Sequence, residues 1–209
     1  MMKKISRSNF NLRPHDFLTS WESSERRYYR QAIDLMCELE LLSEEVKSNW
    51  PVALNEPIKD AKINYPDLYL LVDKRDSTSD LVRIYSAMAV EGFLNWYGSL
   101  RLGENVFNAH FERLSILEKL KMLLLVCDSI VINNSDPLSI ALKSIAESRN
   151  ALVHPRSREV SELSSIPQKY SKVPHTAREA VKNMELFFSE FIKVIPAATK
   201  LIPKNKYFS

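Results

Sequence analysis

The chain has 209 residues, 45% of them hydrophobic, which is enough for one packed domain and argues against disorder of the chain as a whole. Only three glycines occur, which disfavours hairpin-rich β architectures and glycine loops that cradle phosphate, and favours helices. A formal net charge of +3 permits a nucleic-acid partner without arguing for one.

Residues 1–20 are polar and unpatterned, and read as a flexible arm ahead of a single domain over 21–209. No apolar run reaches the roughly 18 residues that a membrane span needs. Met1-Met2-Lys3-Lys4 lacks the apolar stretch of a secretory signal. The expectation is a cytoplasmic protein with no membrane partner, in which Cys37 and Cys127 stay reduced.

From Glu22 to Asn49 a long helix is predicted, with Tyr28, Ala32, Leu35, Leu39, Leu42 and Val46 as its apolar stripe. Arg26, Arg27 and Arg30 on its other faces read as solvated charge or as a surface that tracks RNA. Trp50-Pro51 should stop this helix. Residues 51–76 read as a long connection holding one compact apolar patch, Asp67 to Val72, as a short helix or strand. Ser77-Thr78-Ser79-Asp80 then offers several N-caps for a helix over Leu81 to Leu100. That helix is apolar on most sides and therefore central. Glu91 and Asn95 interrupt it four residues apart, and Gly103 closes it.

After a connector over 104–114, Ser115-x-x-Glu118 forms a capping box. It opens a periodic helix through Leu117, Leu120, Leu124, Cys127 and Val131. Asn133-Asn134-Ser135 turns the chain into a helix starting near Asp136-Pro137. Arg156 to Val173 is a polar stretch. Pro174 is expected to start the last helix, whose stripe is Ala177, Val181, Met184, Phe188 and Ile192, and Pro196 to close it. The sum is an all-α bundle of about five main helices.

The stretch with most chemistry ends the helix that begins near Pro137. Leu138, Leu142, Ile145, Arg149 and Leu152 recur at three- and four-residue intervals, which predicts Arg149 on the core-facing stripe. An arginine there needs a partner or a purpose, because an unpaired buried charge is strongly unfavourable. Asn150 and His154 are four apart and share a face. Pro155 should end the helix at His154, so that the imidazole can swing back toward the arginine. A helix C-terminus favours the protonated imidazole and brings it into a useful titration range. The bland alternative is an arginine paired within the bundle and a histidine that merely ends a helix.

Other chemistries find no support. The four histidines are scattered, with no H-E-x-x-H or Cys/His cluster, so no metal and no cofactor is expected. Gly-x-Ser-x-Gly is absent. Cleaving RNA through its own 2′-hydroxyl needs a base for that proton and cations for the charge developing around phosphorus. A histidine titrating near neutrality suits the first task and a permanently charged, bidentate arginine the second.

Arg149-Asn150-Ala151-Leu152-Val153-His154 resembles the signature of the HEPN superfamily (higher eukaryotes and prokaryotes nucleotide-binding), an Arg followed after four to six residues by His, often with a polar residue directly after the Arg. Ala89-Val90-Glu91-Gly92-Phe93-Leu94-Asn95 is similar to an early core helix of such proteins, which carries an acidic residue. The resemblance covers about residues 78–195. It implies a metal-independent endoribonuclease that acts as a homodimer, with two motifs facing across a two-fold axis. It also implies a role in toxin–antitoxin or anti-phage defence, with an antitoxin or defence-system partner. Arg149 would stabilise the transition state, His154 act as base or acid and Asn150 position, while Glu91 either pairs with Arg149 and orients it or merely caps or reaches solvent at the bundle edge. Arg156 and Arg158 would contact RNA. One toxin subgroup has Tyr two residues past the His, where Arg156 stands here, which puts that mode of regulation in doubt. The alternative is a non-catalytic HEPN-like interaction or scaffold module in a defence complex, docking through 156–172.

Overall fold

The computed structural model describes residues 24–49, 63–153 and 166–202. In chain order these hold α1 (Ser24–Asn49), α2 (Pro66–Leu102), α3 (Glu104–His110), α4 (Ile116–Leu123), a π-helical turn (Leu124–Asp128), α5 (Pro137–Val153), α6 (Ile166–Val194) and a 3-10 turn (Pro196–Lys200). The described residues contain no strand, and the fold is an all-α bundle. The N-terminal arm, Trp50-Pro51 and most of the connector that follows lie outside the described residues.

The long helix α2 is the axis of the molecule. α1 packs along one side of it, while α5 and α6 pack against each other and against it. Tyr29, Ala32, Ile33, Leu39, Leu42 and Val46 turn α1 inward, with Tyr28 and Leu35 only half-buried at the margin of that face. Phe93 is the centre of the aromatic core. Its ring meets Phe188 and Phe191 edge-on, with centroids 5.3 Å and 5.0 Å away. Such T-shaped pairs add about 0.5–1.5 kcal/mol each to the burial itself.

α2 overturns one expected boundary. Pro66 sits in its first turn and the helix runs unbroken for 37 residues, so the apolar patch at Asp67 to Val72 is its opening turns and the expected caps at 77–80 lie inside it. Serine and threonine cap only when their hydroxyls reach forward to free N–H groups. Here Thr78 Oγ1 donates back to the Lys74 carbonyl at 2.8 Å, and Ser79 Oγ donates to the Val173 carbonyl of α6 at 2.9 Å. Both residues are buried. The polar run is thus an internal seam between helices.

Pro174 is a second correction. It lies inside α6 and not at its start. An interior proline removes one backbone donor and crowds the preceding turn. Here the carbonyl just before it accepts from two hydroxyls, Ser79 Oγ and Thr176 Oγ1, each at 2.9 Å. The predicted stripe of α6 does face the core: Ala177, Val181, Met184 and Phe188 are buried, joined by Phe187, Phe191 and Ile195.

The capping box at Ser115 forms as read, with Ser115 Oγ accepting from the Glu118 N–H and the Glu118 carboxylate accepting from the Ser115 N–H. The helix it opens stops earlier than its periodicity predicts. It widens into the π-turn and ends at Ser129, whose φ of 59° is left-handed, and Val131 beyond is 77% exposed.

Candidate functional site

α5 presents the Arg-Asn pair. Its first three turns are anchored by apolar burial through Leu138, Ala141, Leu142 and Ile145. Beyond Ile145 that anchor fades: Leu152 is half-buried, and Arg149, Asn150, Ala151 and Val153 are exposed. The expectation that Arg149 faces the core is therefore wrong. Arg149 follows Ile145 by four residues, but the helix end projects past the core, so the same stripe emerges into solvent.

Arg149 Nη1 donates to the Asn150 amide oxygen at 3.1 Å. No carboxylate among the described residues pairs with that guanidinium. Asn150 consequently turns its oxygen to Arg149 and keeps its amide donors for other partners. His154, Arg156 and Arg158 lie outside the described residues.

Glu91 does not join this pair. It is exposed and makes no ion pair with Arg149. Its charge acts instead on Lys119 of α4, where it favours the protonated amine, as does Glu112. Burial is the larger influence and pulls the Lys119 amine below the usual lysine range. Lys119 is 1% exposed; its Nζ donates to Asn95 Oδ1 at 2.6 Å and lies 5.7 Å from the Phe107 ring centroid. Asn95 thus serves the α2–α4 contact directly, and Glu91, one turn before it, acts there only through its charge.

Helix geometry explains the separation. The residue of α2 that meets the end of α5 is Arg83, eight positions before Glu91, which is about 12 Å along the axis. Arg83 Nη2 donates to the Ser148 carbonyl at 2.7 Å and Nε to Ser148 Oγ at 2.9 Å. Its Nη1 donates to Asp80 Oδ1 at 3.2 Å. Burial raises the Asp80 carboxyl above its ordinary range, against the pull of Arg83. One turn earlier on α5, Ser144 Oγ accepts from Asn183 Nδ2 of α6 at 2.9 Å. The two serines, four apart, are the polar grips on this helix. Sequence reading missed Arg83, took Asp80 only for an N-cap, and gave Ser148 no partner. The available signal was an arginine in a helix apolar on most sides, three residues after an aspartate.

A second polar cluster closes the C-terminal end of α2. Asp128 accepts from Tyr97 Oη and from Arg101 Nη1, both at 2.7 Å, and Arg101 Nη2 donates to the Cys127 carbonyl at 2.6 Å. Burial pushes the Cys127 thiol up to about 11, which makes it a poor nucleophile near neutral pH. Cys37 is exposed, and both cysteines are free thiols.

A cavity of about 650 Å³ lies between the end of α1 and the start of α2, lined by Glu45, Asn49, Tyr65, Leu68, Leu71 and Lys74 among others. None of Arg149, Asn150 and Glu91 lines it. Among the described residues no group of three or more His, Cys, Asp or Glu is placed to hold a metal ion, and no helix is long and apolar enough to cross a membrane. Compared with protein-family models, curated proteins and solved structures, the chain finds no match.

Proposed function

We propose that the chain is a HEPN-like, metal-independent endoribonuclease, acting as a homodimer in a toxin or anti-phage setting. The observation that supports this reading is the exposed pair at the end of α5. Arg149 is bonded to Asn150 and unopposed by any carboxylate of the described residues, so its charge is available to an anion. In an all-α domain, that pair sits five and four residues ahead of a histidine in a motif similar to the HEPN signature.

The chemistry follows from the residue types. A base takes the proton of the ribose 2′-hydroxyl, the 2′-oxygen bonds to phosphorus, and the 5′-oxygen leaves with a proton from an acid. The products are a 2′,3′-cyclic phosphate and a 5′-hydroxyl. His154 acts as base or acid, Arg149 neutralises the charge on the phosphoryl oxygens, and Asn150 positions. Arg156 and Arg158 add contacts to the RNA backbone. Glu91 is given no part, because it serves Lys119.

The test is RNA cleavage with EDTA present. Wild-type protein cuts, and Arg149→Ala and His154→Ala each lose at least about 100-fold, in line with removing one transition-state contact or a general base. Because Arg149 is exposed, its alanine variant keeps wild-type stability to within about 0.5 kcal/mol. Equal cleavage by all three proteins contradicts the assignment.

A second reading is favoured by the missing Glu91–Arg149 pair: an exposed arginine with no orienting carboxylate among the described residues also suits a non-catalytic interaction module. Such a module cuts no RNA and keeps its partner after both substitutions.

A further inference from the structure

We infer that Arg83 is a positioning residue, whose guanidinium ties the last turns of α5 to α2 and so sets where Arg149 and Asn150 stand. This rests on the nuclease reading for its functional consequence and on geometry alone for the tie.

The apolar anchor of α5 ends at Ile145, four residues before Arg149. Among the described residues, polar bonds take over past that point, beside a half-buried Leu152. One guanidinium donates to both the carbonyl and the hydroxyl of Ser148, the residue directly before Arg149. A planar fork of this kind fixes direction as well as distance, which an ammonium cannot do. Its third contact, to Asp80, holds the fork on the α2 side. The Arg83 side chain is 13% exposed, so water competes weakly for these bonds. Its charge also sits toward the C-terminal end of α5, where the helix dipole favours a cation. The Ser148 carbonyl keeps a second lone pair for its helical bond, so the tie adds to the helix without breaking it. Arg149 and Asn150 are the next two residues in the chain, and displacement of Ser148 carries them along.

The experiment compares Arg83→Met, Arg83→Lys and Ser148→Ala with wild type in amide hydrogen exchange and RNA cleavage. Arg83→Met keeps the apolar stem and removes every donor. It should speed exchange at residues 149–153 at least tenfold, leave the α2 core amides at 87–94 unchanged, and lower kcat at least tenfold with KM within twofold. Arg83→Lys, able to hold one Ser148 oxygen but not both, should fall between; Ser148→Ala, which removes only the hydroxyl, should show the same local loosening in smaller measure. Unchanged exchange at 149–153 in Arg83→Met and in Ser148→Ala overturns the tie. Faster exchange there with undiminished kcat overturns the positioning role. Faster exchange with no RNA cleavage by wild type supports the tie and removes the nuclease reading instead.

Discussion

A guanidinium has one of two fates in a bundle like this one, and three arginines show both. Arg83 and Arg101 are drawn under neighbouring helices, where carboxylate and carbonyl oxygens take up their donors. Arg149 is left in solvent beside an amide. Heptad-like spacing alone cannot separate these cases, because it carries no information on where the core ends. At the same scale Gly98 is a contact glycine. A Cβ added there would lie well inside van der Waals distance of the Phe107 ring and 3.0 Å from Leu123 Cδ2. Helix propensity favours alanine over glycine by about 1 kcal/mol, whereas overpacking a buried ring costs about 1–3 kcal/mol. Phe107 is only 3% exposed and has little room to retreat. Gly98→Ala is therefore expected to lower the urea midpoint, and a raised midpoint would show that the ring moves freely.

Among the elements, α2 is the one that sequence patterning divided wrongly. Its amphipathic signal is weak because it is enclosed by α1 on one side and α5 and α6 on others, and the Ser-Thr run at 77–79 imitates a cap. Distinguishing a cap from a buried seam requires knowing which helix lies opposite, and that is tertiary information. Boundaries written in local chemistry came through intact: the capping box at Ser115, Pro137 at the start of α5, and Gly103 after α2. Ties between elements were invisible in the sequence. Arg178 of α6 and Glu40 of α1 stand 138 positions apart and form a two-pronged ion pair. The hydrogen bond from Arg178 holds the Glu40 carboxyl below its ordinary value of 4.5. A depressed folded value means that the contribution to stability is complete above the unfolded value and is lost as pH falls through the folded one. Glu40→Gln should cost no more than about 1 kcal/mol at neutral pH, since the pair is half-exposed. The gap between variant and wild type, measured by urea unfolding, should close below pH 4.5. A gap that persists unchanged in acid contradicts the pairing.

For the whole molecule, the fold class was legible because glycine is scarce and three long stripes recur at helical spacing. The candidate site was legible only in part. Arg149 and Asn150 come from a short motif whose residues are adjacent in the chain, so their proximity needed no folding to predict. The partner assigned to Arg149 was read from the acidic residue within the most apolar run. Folding left that residue exposed, where its charge acts on Lys119, and brought Arg83, two turns earlier, to the end of α5. The separation of the two sites along α2 is also what lets them be tested apart.

The central claim is that RNA is cut by attack of its own 2′-oxygen, with Arg149 and His154 and without a metal. It is tested most directly by incubating the protein in EDTA with a single-stranded RNA and with the same sequence carrying 2′-O-methyl groups, and analysing the ends. The account predicts 2′,3′-cyclic phosphate ends from the first and an intact second strand. Cleavage of the methylated strand, or an unmethylated strand left whole, would contradict it.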